Sequence, residues 1–490
     1  MSMGKKRSRQ PEMFVAAAGM RPPGHRFYEK LNELLDLADF DRQVEALCEP
    51  FYDPDPTKGR QSIPPGVYFR MLLIGYFEGI ESERGICWRC EDSLSLREFL
   101  NLNLDDPVPD HSTLSRTRTR LSSDVFQAVF RLVLKLVEEK GLLRGRVAGV
   151  DSTYLRADAS MKAIVRRDTQ ESYDAYILQL AKAAGIENPT AEDARRHDRK
   201  RKKKTSNEEW GSPTDPDARI ARLKDGRTRL SYKAEHVTDL ETGAIIAATV
   251  HPSDAPDTET LLPSLETARQ NVLSESETQT AETKNGSDRN DDDDDQPGGN
   301  GEVGPRGAVE VVADKGYYKT QLLVDLKEAG FRPYIPEPVR QHRRRLAELD
   351  PEARRAVLDN RRRTTRVKGK SHQRKRGELL ERPFAHLLET GAARRTRLRG
   401  RGNVEKRYII HAAAANLGLI LRTTHGRGTP RGWADGGLLG LLLALLCSVA
   451  EVALGPVYRA VGRLMTQLLA PVTQLPGLQN CRLGPRSTGC

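Results

Sequence analysis

The chain has 490 residues, a formal charge of +11 and a pI near 9.3, a length suited to several domains of about 150 residues. With 37% hydrophobic and 30% charged residues it can bury a core, although that average hides segments that cannot. Six cysteines are too dilute for a disulfide scaffold, and the basic surplus favours a polyanion or an anionic membrane surface as partner.

The start, MSMGKKRSRQPEMF, runs into polar and Pro/Gly-rich sequence instead of the apolar stretch of a secretory signal, which points to the cytoplasm. From 25 to 143 the pattern is helical. PPGVYFRMLLIGYFEGI opens on prolines suited to a first turn. SLSLREFLNLNL predicts a capping box from Ser95 to Glu98. SSDVFQAVFRLVLKLVEEKG sets Phe126, Val129, Val133 and Leu136 in one stripe and stops at Gly141. Between these two, PVPDHSTLSRTRTRL predicts an N-cap around Asp110 to Ser112 and a short helix carrying Arg116, Arg118 and Arg120. That is helix-turn-helix-like, with arginines placed for DNA, although a solvated basic face on an ordinary bundle fits this segment alone equally well. The CxxC of Cys87 and Cys90 lacks a second pair to complete a zinc site, so two half-buried thiols on a helix are expected.

At Arg146 the period changes to that of strands. RVAGVDSTYL, RLSYKAEHVTDL (alternating, half-buried) and ETGAIIAATVHP predict three strands, with a basic insertion over 156–228 after the first. A helix (DTETLLPSLETARQNVL), a strand (AVEVVADKGYY), a helix ending at Gly330, a short strand (FRPYIPEP) and a last helix (RKRGELLERPFAHLLETG) follow. The order implies an antiparallel start and then βαβ crossovers, so the expected fold class is α/β, a mixed sheet with flanking helices behind an all-α domain. The catalytic-type domain would span 144–425. Residues 274–307, with the acidic block Asp291–Asp295, predict a disordered loop. The tail 426–490 is apolar, but its run from Gly436 is broken by Glu451 and Pro456; no membrane span is expected. Basic runs at 195–204, 343–345, 361–363 and 374–376 localise the positive charge and suggest a nucleic-acid footprint.

Three acids stand where this topology would gather them: Asp151 in GVDST on the first strand, Asp314 ending the fourth, and Glu381 on the last helix. Converging carboxylates repel unless cations neutralise them, and oxygen-rich sites suit Mg²⁺ or Mn²⁺. Two such ions about 3.5 to 4 Å apart drive in-line phosphodiester displacement. Singly, each acid has an ordinary structural alternative, as a turn cap, a helix head or a salt-bridge partner.

The strings VAGVDSTYLRADASMKAIVRRDT, RLSYKAEHVTD, EVVADKGYY, YIPEP and GELLERPFAHLLETGAARRTRLRG, with PPGVYFRMLLIGYFEGIESERGI and PVPDHSTLSRTRTRL before them, resemble the DDE transposases of bacterial insertion sequences over about residues 25 to 425. The resemblance implies an RNase H-like core, two Mg²⁺ ions, and cutting and rejoining of double-stranded DNA at the inverted-repeat ends of a mobile element. It also implies a homo-oligomer on that DNA at the nucleoid, and it places the catalytic and metal-binding roles on Asp151, Asp314 and Glu381. Lys233 and His236, with Tyr232, would lie near the site, and Arg374, Lys375 and Arg376 would contact phosphates. The family's Tyr, Arg, Glu, Lys pattern around the glutamate is met here by Arg374, Gly377, Glu381 and Leu388, so only the glutamate fits; Glu378 and Glu405 are fallbacks. Pro383, two residues on, should break the helix or turn Glu381 aside. The rival functions are a nuclease that hydrolyses without rejoining and a transposase-derived DNA-binding protein.

Overall fold

The computed structural model describes residues 3–5, 24–55, 61–103, 106–201, 205–223, 225–272, 310–338 and 346–434. The acidic block Asp291–Asp295, the basic residues 202–204 and 343–345, and the tail beyond 434 lie outside them. Two compact units divide the chain, residues 1–430 and 431–490; of the second, residues 431–434 are described, within a short helix Pro430–Ala434.

The first unit opens on helices α1 (Arg26–Leu37), α2 (Phe40–Cys48), α3 (Pro65–Phe77), α4 (Glu83–Glu91), α5 (Leu94–Phe99), α6 (His111–Arg120) and α7 (Ser123–Glu139). Every residue of α3 is buried, which explains a sequence with no polar face. Its one charge, Arg70, is tolerated because Asp41 accepts two hydrogen bonds from the guanidinium, at 2.9 and 2.8 Å. The cap of α5 is Ser93, whose hydroxyl accepts from the Leu96 N–H at 3.4 Å. Ser95 lies inside the first turn, so the capping box expected there is absent. The stripe Phe126, Val129, Val133 and Leu136 is buried as its period requires. α7 then ends where Gly141 takes φ +69° and the Leu142 N–H reaches the Val137 carbonyl at 2.9 Å, a left-handed cap that glycine adopts without strain. Residues 100–110 separate α5 from α6, too long for a tight helix-turn-helix, so a bundle presents the arginine-bearing helix.

The strands are β1 (Val147–Arg156), β2 (Val165–Arg166), β3 (Trp210–Gly211), β4 (Arg219–Arg222), β5 (Thr228–Asp239), β6 (Ile245–Pro252), β7 (Glu310–Val312) and β8 (Arg332–Tyr334). β2 and β3 form a separate ribbon; the main sheet runs β4-β5-β1-β7-β8, and β6 also pairs with β5. β5 is antiparallel to β1 and carries β4 and then β6 along its other edge, whereas β1, β7 and β8 are parallel. The main sheet is therefore α/β and mixed, antiparallel on one side of β1 and parallel on the other. β5 departs from its half-buried expectation: from Leu230 to Asp239 every residue is buried, because helices cover both faces.

Within the basic insertion, α8 (Tyr173–Ala183) and α9 (Ala191–Lys200) pack Ile177, Ala181 and Ala194 together. Arg195, Arg196 and Arg201 there pair with Asp174, Asp193 and Asp198, so part of that basic run is spent on intramolecular contacts. Downstream come α10 (Asp257–Val272), α11 (Thr320–Glu328), α12 (Pro351–Thr365), α13 (Val367–Ala385) and α14 (Arg401–His425). Ala148, Val150, Val311 and Ala313 face one core with α10, α11 and α12; Val147, Val312, Tyr334 and Leu380 of α13 form the core on the opposite face. Pro383 does not end α13. Its missing N–H falls in the last turn, and the ladder then widens to a π turn over His386–Thr390.

Glu310, 8% exposed, fastens α13 to β7. Its carboxylate accepts from Lys368 Nζ at 2.5 Å, His372 Nε2 at 3.0 Å and the Tyr334 hydroxyl at 3.0 Å. Burial works against its charge, but these donors outweigh it and hold the carboxyl down to about 2. A depressed acid pKa stabilises the fold above the ordinary carboxyl range, and that contribution fades as pH falls from about 4.5 to about 2. Urea unfolding at neutral pH should show Glu310→Gln less stable by on the order of 3 kcal/mol, with the gap to the parent closing across that acid window.

Candidate active site

The parallel register of β1 and β7 runs Val147↔Glu310, Ala148↔Val311 and Gly149↔Val312. Asp151 follows the last paired residue of β1 by two positions, and Asp314 follows the end of β7 by two. Alternation keeps Asp151 on the face of Val147 and Gly149, which is the face covered by α13. Both aspartates are partly exposed. Asp314 caps the turn Lys315–Tyr317, accepting from the Gly316 N–H at 2.7 Å. Asp151 accepts from its neighbour's amide, Ser152 N–H, at 2.8 Å, and Arg376 Nη1 of α13 lies 3.4 Å from its other oxygen.

The approach of α13 depends on Gly149. A methyl there would come within 2.5 Å of Leu240 Cδ2 and 3.1 Å of Leu380 Cδ1, so the missing side chain lets the helix lie against β1. Gln373, one turn before Gly377, donates to the Ala313 and Tyr334 carbonyls at 3.1 and 2.7 Å, which holds the same helix over the end of β7.

On the other face of β1, Asp257 at the head of α10 accepts from the Ser152 hydroxyl and from Lys233 Nζ, each at 3.1 Å. Lys233 also donates to the Ala255 carbonyl at 2.7 Å. Asp257 and Asp314 flank Gly316, where a built Cβ would meet both carboxylates. By its spacing DTETLL reads only as a helix. An acid directly after a proline that lies four residues past the end of a strand is the available signal for Asp257.

The other expected residues divide by burial. Lys233, 2% exposed, is engaged as described. His236 pairs with Asp151 across the sheet but has no exposed surface: its ring stacks on Phe384 at 4.1 Å and its Nε2 shares a hydrogen bond with the Tyr408 hydroxyl at 2.7 Å. Burial pushes its pKa down to about 3. Tyr232 is buried on Asp215, 2.6 Å away. Arg118 is buried, tied to Glu83, to Ser115 at 3.0 Å and to Asn403 at 3.3 Å; Arg120 lies over the Tyr52 ring at 4.7 Å. As the chain is folded, Arg118, Lys233 and His236 offer no surface to a DNA backbone, and these three expectations are corrected. Arg116, Arg374 and Lys375 are exposed.

Glu381 is exposed on α13. Leu380 beside it lies against Gly149, whereas Arg376, a turn earlier, reaches Asp151; the glutamate therefore sits a turn short of the aspartate pair. Among the described residues no three His, Cys, Asp or Glu side chains are grouped to hold a metal ion. Glu378 is exposed on the same helix. Glu405 lies on α14 against β6, 3.4 Å from the Val250 N–H, away from the pair. Cys48, Cys87 and Cys90 are free thiols, with Cys87 half-buried and Cys90 buried on α4, and burial pushes the last two up to about 12.

The family model described as Transposase domain (DUF772) matches residues 16–120, the part of the chain that holds α1 to α6. The match supports a transposase family for the chain. No curated protein and no solved structure matches it. No helix of the described residues is long and apolar enough to cross a membrane.

Because the seating of α13 depends on an absent methyl, Gly149→Ala should cost about 1–3 kcal/mol of stability in urea unfolding. Gly377→Ala on the same helix, where a Cβ meets nothing within 4 Å, should cost nothing measurable.

Proposed function

We propose that the chain is a DNA transposase whose sheet is an RNase H-like core, and that Asp151 and Asp314, with Glu381, carry metal-dependent cleavage and strand transfer. The observation behind this reading is the parallel pairing of β1 with β7, because Asp151 and Asp314 each follow its last pair, Gly149↔Val312, by two residues. The sheet order fits such a core: counting β1, β5, β6, β7 and β8 as first to fifth, the strands run third, second, first, fourth, fifth. The transposase-domain match over residues 16–120 supports the same reading.

The aspartate pair suits a divalent ion. Its oxygens are hard donors, and both side chains are partly open to solvent. Asp151 and Asp314 would hold Mg²⁺ or Mn²⁺, with Glu381 as the third acid from the covering helix. Bound there, such ions polarise the scissile phosphate and sharpen the attacking water or 3′-hydroxyl.

The chain's own residues supply the rest. Arg376 neutralises Asp151 in the absence of substrate and is positioned to turn to a phosphate oxygen. Arg374 and Lys375, exposed on the same helix, extend that positive surface for the duplex backbone. Ser152 and Lys233 hold Asp257 in place beside Asp314. DNA ends of a mobile element are the substrate, and two ends handled together call for a homo-oligomer.

A second reading, a DNA-binding protein that does not cut, is favoured by one observation: Glu381 stands off from the pair. Cleavage of a plasmid carrying the DNA that flanks the coding region, with Mg²⁺ present, separates the two. The parent should nick or cut it, and Asp151→Asn and Asp314→Asn should each lower the rate by more than about 100-fold with unchanged melting. Asparagine variants that cleave as well as the parent would falsify the assignment; a parent that binds the plasmid in a salt-sensitive way and never cuts it supports the second reading.

A further inference from the structure

At the far end of β1, five residues beyond Asp151 and so about 17 Å along the strand, an open cleft of about 600 Å³ is lined by Arg156, Lys162, Arg229, Arg395 and Arg399, with Asp158 the one acid among its lining residues. The main chain holds this arrangement in place. Arg156 N–H donates to the Arg394 carbonyl at 3.0 Å, and the Arg156 carbonyl accepts from Thr396 N–H at 2.9 Å, so the segment leading to α14 is stitched to the strand. Asp158 aims two of the guanidinium groups, with Arg395 at 3.4 Å and Arg399 at 3.5 Å. Asp225 lies 3.9 Å from Arg229, and among the described residues no carboxylate pairs with Arg156 or Lys162.

Five cations gathered around one carboxylate repel one another, and the fold bears that cost. Burial, together with the fields of Arg229, Arg395 and Arg397, pulls Arg156 below its ordinary pKa. An anion entering the cleft relieves this repulsion. None of the residues lining it is aromatic, so no platform exists for stacking bases. Guanidinium forks beside the hydroxyls of Ser160, Thr214 and Thr228 are the groups that grip phosphate oxygens.

We infer that this cleft is a binding site for the phosphodiester backbone of duplex DNA, separate from the aspartate pair and read without reference to base sequence. It rests on the DNA-processing function proposed above and adds to it a second grip on the duplex, from the face of β1 opposite Asp151. Arg156 and Arg229, on the rigid central strands, form its floor; Arg395 and Arg399 form its wall.

The test is equilibrium binding of the full chain to a labelled duplex in EDTA, across a salt series, so that no cleavage intervenes. Replacing both floor arginines, Arg156→Ala with Arg229→Ala, should weaken binding roughly tenfold and reduce the salt slope by about two, to a similar extent on unrelated sequences. The Arg156→Lys, Arg229→Lys pair should keep most of the slope. Arg399→Glu, a change at an exposed side chain, should act in the same direction as the alanine pair and thus serves if that pair melts early. An unchanged slope in a folded alanine pair or in Arg399→Glu overturns the inference, as does a loss confined to single-stranded probes. The catalytic assignment is read from plasmid cleavage in Mg²⁺ and the cleft from binding in EDTA, so a failure of one and a failure of the other appear in different assays.

Discussion

Three residue pairs of parallel ladder join β1 to β7, and the candidate chemistry depends on that short pairing. It fixes the register of β7 against β1, and a one-residue slip would turn the side chains of β7 to the opposite face of the sheet. Little in the ladder itself guards against slippage, since β7 spans Glu310–Val312 alone. The guard comes from outside the strand. Glu310 at its start is gripped by Lys368, His372 and Tyr334, and Gln373 ties the Ala313 carbonyl at its end. One helix, α13, thus pins β7 at both ends while covering the aspartates.

Burying a carboxylate to hold a helix is a costly solution unless every oxygen is satisfied, and Glu310 meets that condition with three donors. Asn360 and Asn416 follow the same logic with neutral groups. Each amide side chain receives one backbone N–H and donates to the carbonyl of the same residue, Ile335 and Ile245 respectively, so α12 and α14 are bonded to the sheet's backbone by side chains that act as substitute strands. The polar residues buried at this sheet are fasteners for the elements around the site.

Much of this architecture was legible in the sequence. The switch in period near Arg146, the glycines closing α7 and α11, and the antiparallel start followed by crossovers predicted the mixed sheet. What stayed hidden depended on three-dimensional neighbours that spacing does not encode. Arginines at alternate positions of α6 look equivalent in the chain, yet Arg118 turns inward because Glu83 and Asn403 wait there, while Arg116 faces water. The alternation of RLSYKAEHVTD suggested one wet face; instead both are covered, and Lys233, Glu235 and His236 are paired within the interior. Pro383 signalled a broken helix, but a proline near a helix end costs one hydrogen bond that the following π turn absorbs.

The long helix α14 belongs to both halves of the first unit. Its Asn416 is bonded into β6, while Lys406 donates to the Leu121 and Arg118 carbonyls at 2.7 and 3.1 Å and Arg407 to the Ile80 carbonyl at 2.9 Å. The helical front is therefore completed by residues that arrive 285 to 327 positions later in the chain. During synthesis α1 to α7 must wait on the ribosome with that contact surface uncovered, and the last described helix of the sheet region closes the first.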